Sequence, residues 1–358
     1  MHRRKFLTDS LIGAPLLMGK RGSERFVAKR VEGPDASATA TDPRRCLEFS
    51  RMLVHWTHYI EPGYLPFVDE VQPEVVQVGF YGAEFWAIAH VRKADMKGAN
   101  AAAYAVDGDL KGNGQFFENL NKELHKRGIK VVGHFDVEYH VTGLINGPQG
   151  PREGFFKFYN ELWDEKEFGP KPVKDPLELL QRKADGTPFV VELEGYSPWP
   201  LYHGCMINPH WRTVLKAFVK QGIERGVDGF VANYFYREGC MCQWCVRGFK
   251  DYLRQRYRPA ELRRNFGIED LDKYQFLEII GRYQPGNMTP LRLEALRFTC
   301  ISMKNGYDDV FIAYGRSLKP DLILAAWLHG HYTPAPGDER MMLPPELWAK
   351  GEDYIWYS

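Results

Sequence analysis

The sequence predicts an α/β fold built from repeated strand–helix units, a (β/α)8 TIM barrel that is incomplete at its C-terminus. Short β-branched and aromatic runs recur along the chain, each followed by a longer helical stretch, which is the alternation parallel β/α units require. Six strands are expected, at Met52–Thr57, Val75–Tyr81, Ile129–Glu138, Gly229–Tyr234, Leu322–Leu328 and Tyr354–Tyr357. The doubly wound sheet is the nearest competitor, but no Gly-rich dinucleotide fingerprint follows any of these runs.

The elements between the strands support the same reading. Residues 112–127 carry Phe116, Phe117, Leu120 and Leu124 on one helical face, with Gly128 as the stop signal. Residues 211–225 repeat the device with Val214, Phe218 and Ile223, and Gly226 ends the helix before the next strand. The stretch 142–202, rich in Pro, Gly and charge, reads as an elaborated loop after the third strand, above the face where barrel enzymes place their sites. Eight strands close a barrel. Here the chain stops inside the sixth, so a fragment of a longer protein is expected.

Residues 1–42 stand apart from this pattern. Arg3-Arg4-Lys5-Phe6-Leu7 followed by the apolar run 11–18 reads as a bacterial twin-arginine signal, and residues 21–42 as a linker, leaving 43–358 for the barrel. The apolar run is far shorter than the ~20 residues that span a bilayer, so no stable membrane insertion is expected. A periplasmic or extracellular location follows. The formal charge is +1, from 47 basic and 46 acidic residues, which offers no basic field for nucleic acid. Aromatic residues make up 14% of the chain, a composition that permits a carbohydrate partner whose apolar faces stack on rings such as Trp86, Trp199 and Trp327.

Four of the six cysteines form the most specific motif: Cys205, then Cys240-Met241-Cys242-Gln243-Trp244-Cys245. A C-x-C-x-x-C turn brings three sulfurs to one ion, and a distant fourth closes a tetrahedral thiolate shell with no open position. That is a structural metal site, zinc first and an iron–sulfur centre second. Cys205 opens Cys-Met-Ile-Asn-Pro-His-Trp-Arg, and Phe249, Leu253, Arg256 and Tyr257 follow the cluster. This pairing resembles glycoside hydrolase family 42, the retaining β-galactosidases. The resemblance covers residues 204–268 most specifically, and it implies a four-thiolate zinc at Cys205, Cys240, Cys242 and Cys245.

The catalytic side of that resemblance is weaker. The family's general acid/base Glu follows an Asn at the end of the fourth strand. Here Asn233 matches, but Tyr234 stands where the Glu would be. A phenol with an unperturbed pKa near ~10 is a poor proton donor to a glycosidic oxygen. Glu238, in the loop before Cys240, is the substitute candidate. At the end of the third strand, alternation sends His134, Asp136 and Glu138 to one side and Phe135 and Val137 to the other, which makes Asp136 and Glu138 candidate catalytic carboxylates. Asn233, Tyr234, His55, Trp327 and His329 are the candidate substrate contacts. The expectation is an exported glycosidase that acts on an oligo- or polysaccharide with two carboxylates, one of them beyond Ser358. A carbohydrate-binding barrel without turnover and an exported iron–sulfur redox protein are the alternatives.

Overall fold

The computed structural model describes residues 48–54, 57–96, 103–145, 153–191, 199–235, 239–280, 285–328, 345–348 and 350–357. Contacts divide the chain into Met1–Arg45 and Cys46–Ser358, and all described residues belong to the second unit. The twin-arginine segment, Cys46, His55, Glu238 and His329 lie outside them.

The strands are β1 Met52–Val54, β2 Val75–Phe80, β3 Lys130–Asp136, β4 Val141–Thr142, β5 Val190–Val191, β6 Leu201–Tyr202, β7 Gly229–Asn233, β8 Ile323–Leu328 and β9 Tyr354–Tyr357. Six form one sheet in the order β1-β2-β3-β7-β8-β9, every neighbouring pair parallel. That order runs strictly along the chain. A doubly wound sheet would reverse at a switch point, so the sheet is an α/β half-barrel, with β1 and β9 as its edges among the described residues. Each of the six lies within a strand expected from sequence, with β1 shorter than the expected 52–57 and β3 shorter than the expected 129–138.

Alternation sorts the side chains onto two faces. Val76, Val78, Val131, Phe135, Phe230, Ala232, Leu324 and Ala326 face the helices and form the main core with Phe117, Leu124, Trp211, Phe218 and Phe311. Val75, Val132, Val231, Ile323, Ala325 and Trp327 cluster on the opposite, inner face. The helix Leu110–Lys126 buries Phe117, Leu120 and Leu124, and the helix Pro209–Glu224 buries Trp211, Val214, Leu215 and Phe218. The stop signals function as expected, since Gly128 and Gly226 adopt φ +74° and +88°, where a side chain is strained. Asn208 caps the second helix by accepting from His210 N at 2.9 Å, and Pro209 fills the first turn where no N–H is needed.

The excursion after β3, expected as loop, holds a three-stranded antiparallel sheet in the order β4-β6-β5. A second excursion after β7 carries its own small core, where Phe249 and Leu253 of the helix Gln243–Arg256 pack against Leu262, Phe276 and Phe298. No described helix is long and apolar enough to cross a membrane.

Candidate functional site

The carboxyl ends of β2, β3 and β7 converge on a buried polar cluster. After β2 the chain turns at Gly82 into the helix Ala83–Ile88, and the N–H of Glu84 donates to both Asp136 oxygens, at 3.3 and 3.1 Å. Gly82 is required here, because a Cβ at this position would lie 2.5 Å from Asp136 Oδ1 and from its carbonyl oxygen. His140 Nδ1 lies 2.7 Å from Glu84 Oε2. The ligating atoms of Glu84, Asp136 and His140 all stand within 4.8 Å of one another, and all three residues are buried. Neither carboxyl oxygen of Glu84 makes a hydrogen bond of good geometry among the described residues.

The electrostatics follow from this burial. Removal from water raises the Asp136 carboxyl to about 7, Glu84 adds to the rise, and His140 opposes it. Burial likewise lowers His134 to about 3, with His140 adding to the effect, so this imidazole is neutral at physiological pH. A neutral ring can accept, and the Asn233 amide approaches His134 Nε2 at 3.2 Å, while Asn233 Oδ1 accepts from Tyr234 N at 2.7 Å. Tyr234 and His140 hold left-handed backbones, φ +62° and +61°, and their rings meet at 4.5 Å. Two such non-glycine residues in contact store strain of about 1–3 kcal/mol each, of the kind found where geometry serves a site.

The alternation expected along β3 is present. Phe135 and Val137 enter the helix-facing core, while His134 lies on the other side beside Tyr234, at 5.5 Å, and Trp327, at 6.2 Å. Asn233, Tyr234 and Trp327 each lie beside His134, and Asp136 stands opposite Asn233 in the β3–β7 ladder. Glu138 is turned toward the cysteines, its Oε1 accepting from Met206 N at 2.8 Å. Trp86 is no platform for a sugar. It is 2% exposed and stacks on Phe218 within the helix layer. Glu84 was missed from sequence, and its signal was available: an acidic residue in the first turn after a strand's carboxyl end.

Beside this cluster lies the second one. Cys205, Cys240, Cys242 and Cys245 are buried, with one sulfur from each within 4.8 Å of the others. Cys205 Sγ stands 3.7 Å from Cys242 Sγ and 3.4 Å from Cys245 Sγ. Zinc–sulfur bonds of about 2.3 Å put tetrahedral sulfurs ~3.8 Å apart, so the donors fit one ion. None of the four is in a disulfide. Cys240 Sγ also accepts N–H groups from Arg182, at 3.3 Å, and Cys242, at 3.4 Å, while burial pushes its thiol well above the usual range, a rise that a bound cation would oppose. These four cysteines can hold a metal ion.

No family model matches the chain, and no curated protein does. Solved structures do. An α-galactosidase from Thermus thermophilus in complex with stachyose is 14% identical at TM-score 0.35 and covers 79% of this chain and 41% of its own. A family GH13_31 enzyme is 13% identical at TM-score 0.39, covering 86% of this chain and 51% of its own. An α-amylase from Geobacillus thermoleovorans, complexed with acarbose, is 11% identical at TM-score 0.34, with 78% and 46% covered. The chain spans about two fifths to one half of the length of these structures. Likeness of this degree does not bear on chemistry, which rests on the two clusters themselves.

Proposed function

We propose that this chain is part of an exported glycoside hydrolase that cleaves glycosidic bonds of an oligo- or polysaccharide with Asp136 and Glu84 as its carboxyl pair. One observation carries the reading: a carboxyl raised to about 7 by burial lies beside a second carboxyl at the carboxyl ends of adjacent parallel strands. Asp136 is protonated below neutrality and donates to the leaving glycosidic oxygen. Glu84, whose Oε2 lies 2.7 Å from His140 Nδ1, supports the developing positive charge at the sugar carbon, and a water that gives its proton back to the Asp136 carboxylate then bonds to that carbon in place of the leaving group. Their closeness, within 4.8 Å, resembles the ~5 Å of retaining pairs more than the ~6.5–9.5 Å of inverting ones. Neutral His134, Asn233 and Trp327 supply hydrogen bonds and a stacking face.

Zinc is the proposed ion at Cys205, Cys240, Cys242 and Cys245, where it would hold loops and leave no position open for substrate. The separation of 3.4–3.7 Å between sulfurs favours one ion over an iron–sulfur cluster, whose thiolates bind different irons and stand farther apart. The cysteine spacing supports kinship with glycoside hydrolase family 42, and Arg3-Arg4-Lys5-Phe6-Leu7 supports twin-arginine export.

The burial of both carboxyls, Asp136 at 0% and Glu84 at 1% exposure, favours a second reading, a carbohydrate-binding barrel without turnover in which the cluster only braces the strand ends. Assays of the full-length protein on a panel of aryl glycosides separate the two. Asp136→Asn and Glu84→Gln are each expected to lower kcat by ~10²–10⁴ while KM changes little. Binding without turnover by the wild type would establish the second reading.

A further inference from the structure

We propose that Glu138 is a positioning residue that couples the four-cysteine metal site to the Glu84–Asp136–His140 cluster; only the catalytic meaning of that coupling rests on the hydrolase reading above. Residue 138 is gripped twice by the segment bearing the first cysteine. Its main-chain carbonyl accepts from Gly204 N at 2.7 Å, and its Oε1 accepts from Met206 N at 2.8 Å. Cys205 is the residue between those two donors, and its own N–H donates to Leu179 O at 3.0 Å. Trp211 Nε1 adds a bond to Val137 O at 2.8 Å.

The end of β7 reaches the same residue. Glu138 N donates to Tyr234 O at 3.2 Å and Val137 N to Asn233 O at 3.0 Å, which extends the β3–β7 ladder past the end of the strands. The Cys205 segment and the end of β7 therefore both close on residue 138. Two residues later His140 takes its left-handed turn and lies against Glu84. A carboxyl that is 0% exposed and bonded to a backbone N–H beside a ligating cysteine holds that cysteine in place, as outer-shell partners of metal sites do. The coupling is reciprocal: if the ion orders the 138 anchor, the anchor strengthens binding of the ion by the same factor.

The test uses Zn²⁺ and the full-length protein, with affinity read by competition against a chromogenic chelator. Glu138→Ala removes the acceptor for Met206 N and is expected to weaken Zn²⁺ binding by ~10–100-fold. Glu138→Gln keeps an oxygen acceptor and is expected to stay close to the wild-type affinity. In the wild type, stripping Zn²⁺ is expected to speed amide exchange across 134–141 while β2 keeps its protection; this arm needs no variant to fold. Wild-type Zn²⁺ affinity in Glu138→Ala, or exchange across 134–141 that ignores Zn²⁺, would overturn the proposal. Loss of glycoside turnover in Glu138→Gln at unchanged Zn²⁺ affinity would also overturn it, by making Glu138 a catalytic carboxyl. Affinity and exchange are read without turnover, so failure of the coupling and failure of the hydrolase reading are distinct results.

Discussion

Asp136 gives the site a measurable pH signature. Its folded value of about 7 lies above the ~3.9 of an unfolded aspartate, so the folded chain binds more protons between those values. Stability contributed by this residue is therefore unaffected below about pH 4 and falls as pH rises to 7, by at most about 4 kcal/mol. Glu352, raised to about 7 by burial, adds a slope of the same sign. His134, lowered to about 3, opposes both, so the readout is a difference: between pH 5 and 8 Asp136→Asn should lose less stability, or gain more, than wild type. Denaturant titrations at the two pH values check this, and parallel changes in variant and wild type would mean that the carboxyl is not held as described. Asp136 was legible in the sequence because strand alternation alone fixes its side. Glu84 was not: its link to Asp136 spans 52 residues and depends on the close turn at Gly82.

Among the elements, the cysteine motif was the most legible, since spacing C-x-C-x-x-C at a helix start leaves the three sulfurs little choice but to converge. The distant partner, Cys205, comes from the segment capped by Asn208 ahead of the helix Pro209–Glu224. Cys205→Ser should weaken Zn²⁺ binding by more than the ~10–100-fold typical of outer-shell changes and lower the thermal midpoint. Metal analysis of the wild type is expected to give one zinc per chain and no visible colour; a strong visible absorbance with stoichiometric iron would replace zinc as the ion. The small sheet β4-β6-β5 escaped the sequence reading because strands of two residues are too short to show a period.

At the scale of the molecule, the parallel sheet and its strictly sequential order followed from repeated strand–helix units, each long enough to cross back over the sheet. What composition could not show is how the faces divide: apolar residues on both faces of β3, β7 and β8 make the strands read as continuous hydrophobic runs. Phe135 tests this division, packing edge-to-face on Phe230 at 5.3 Å and Phe311 at 5.0 Å in the helix layer. Phe135→Ala should cost ~3–5 kcal/mol by equilibrium unfolding. The inner face, by contrast, ends at its carboxyl rim in His134, Asp136, Asn233 and Trp327, where chemistry is proposed. The most direct test of that chemistry is the pH profile of kcat/KM for a hydrolysed glycoside in the full-length protein. Wild type should lose activity above about pH 7 as Asp136 ionises, and Asp136→Asn should be slower by ~10²–10⁴ with that limb gone; an Asn variant that matches wild type in rate and profile would contradict the proposed role of Asp136.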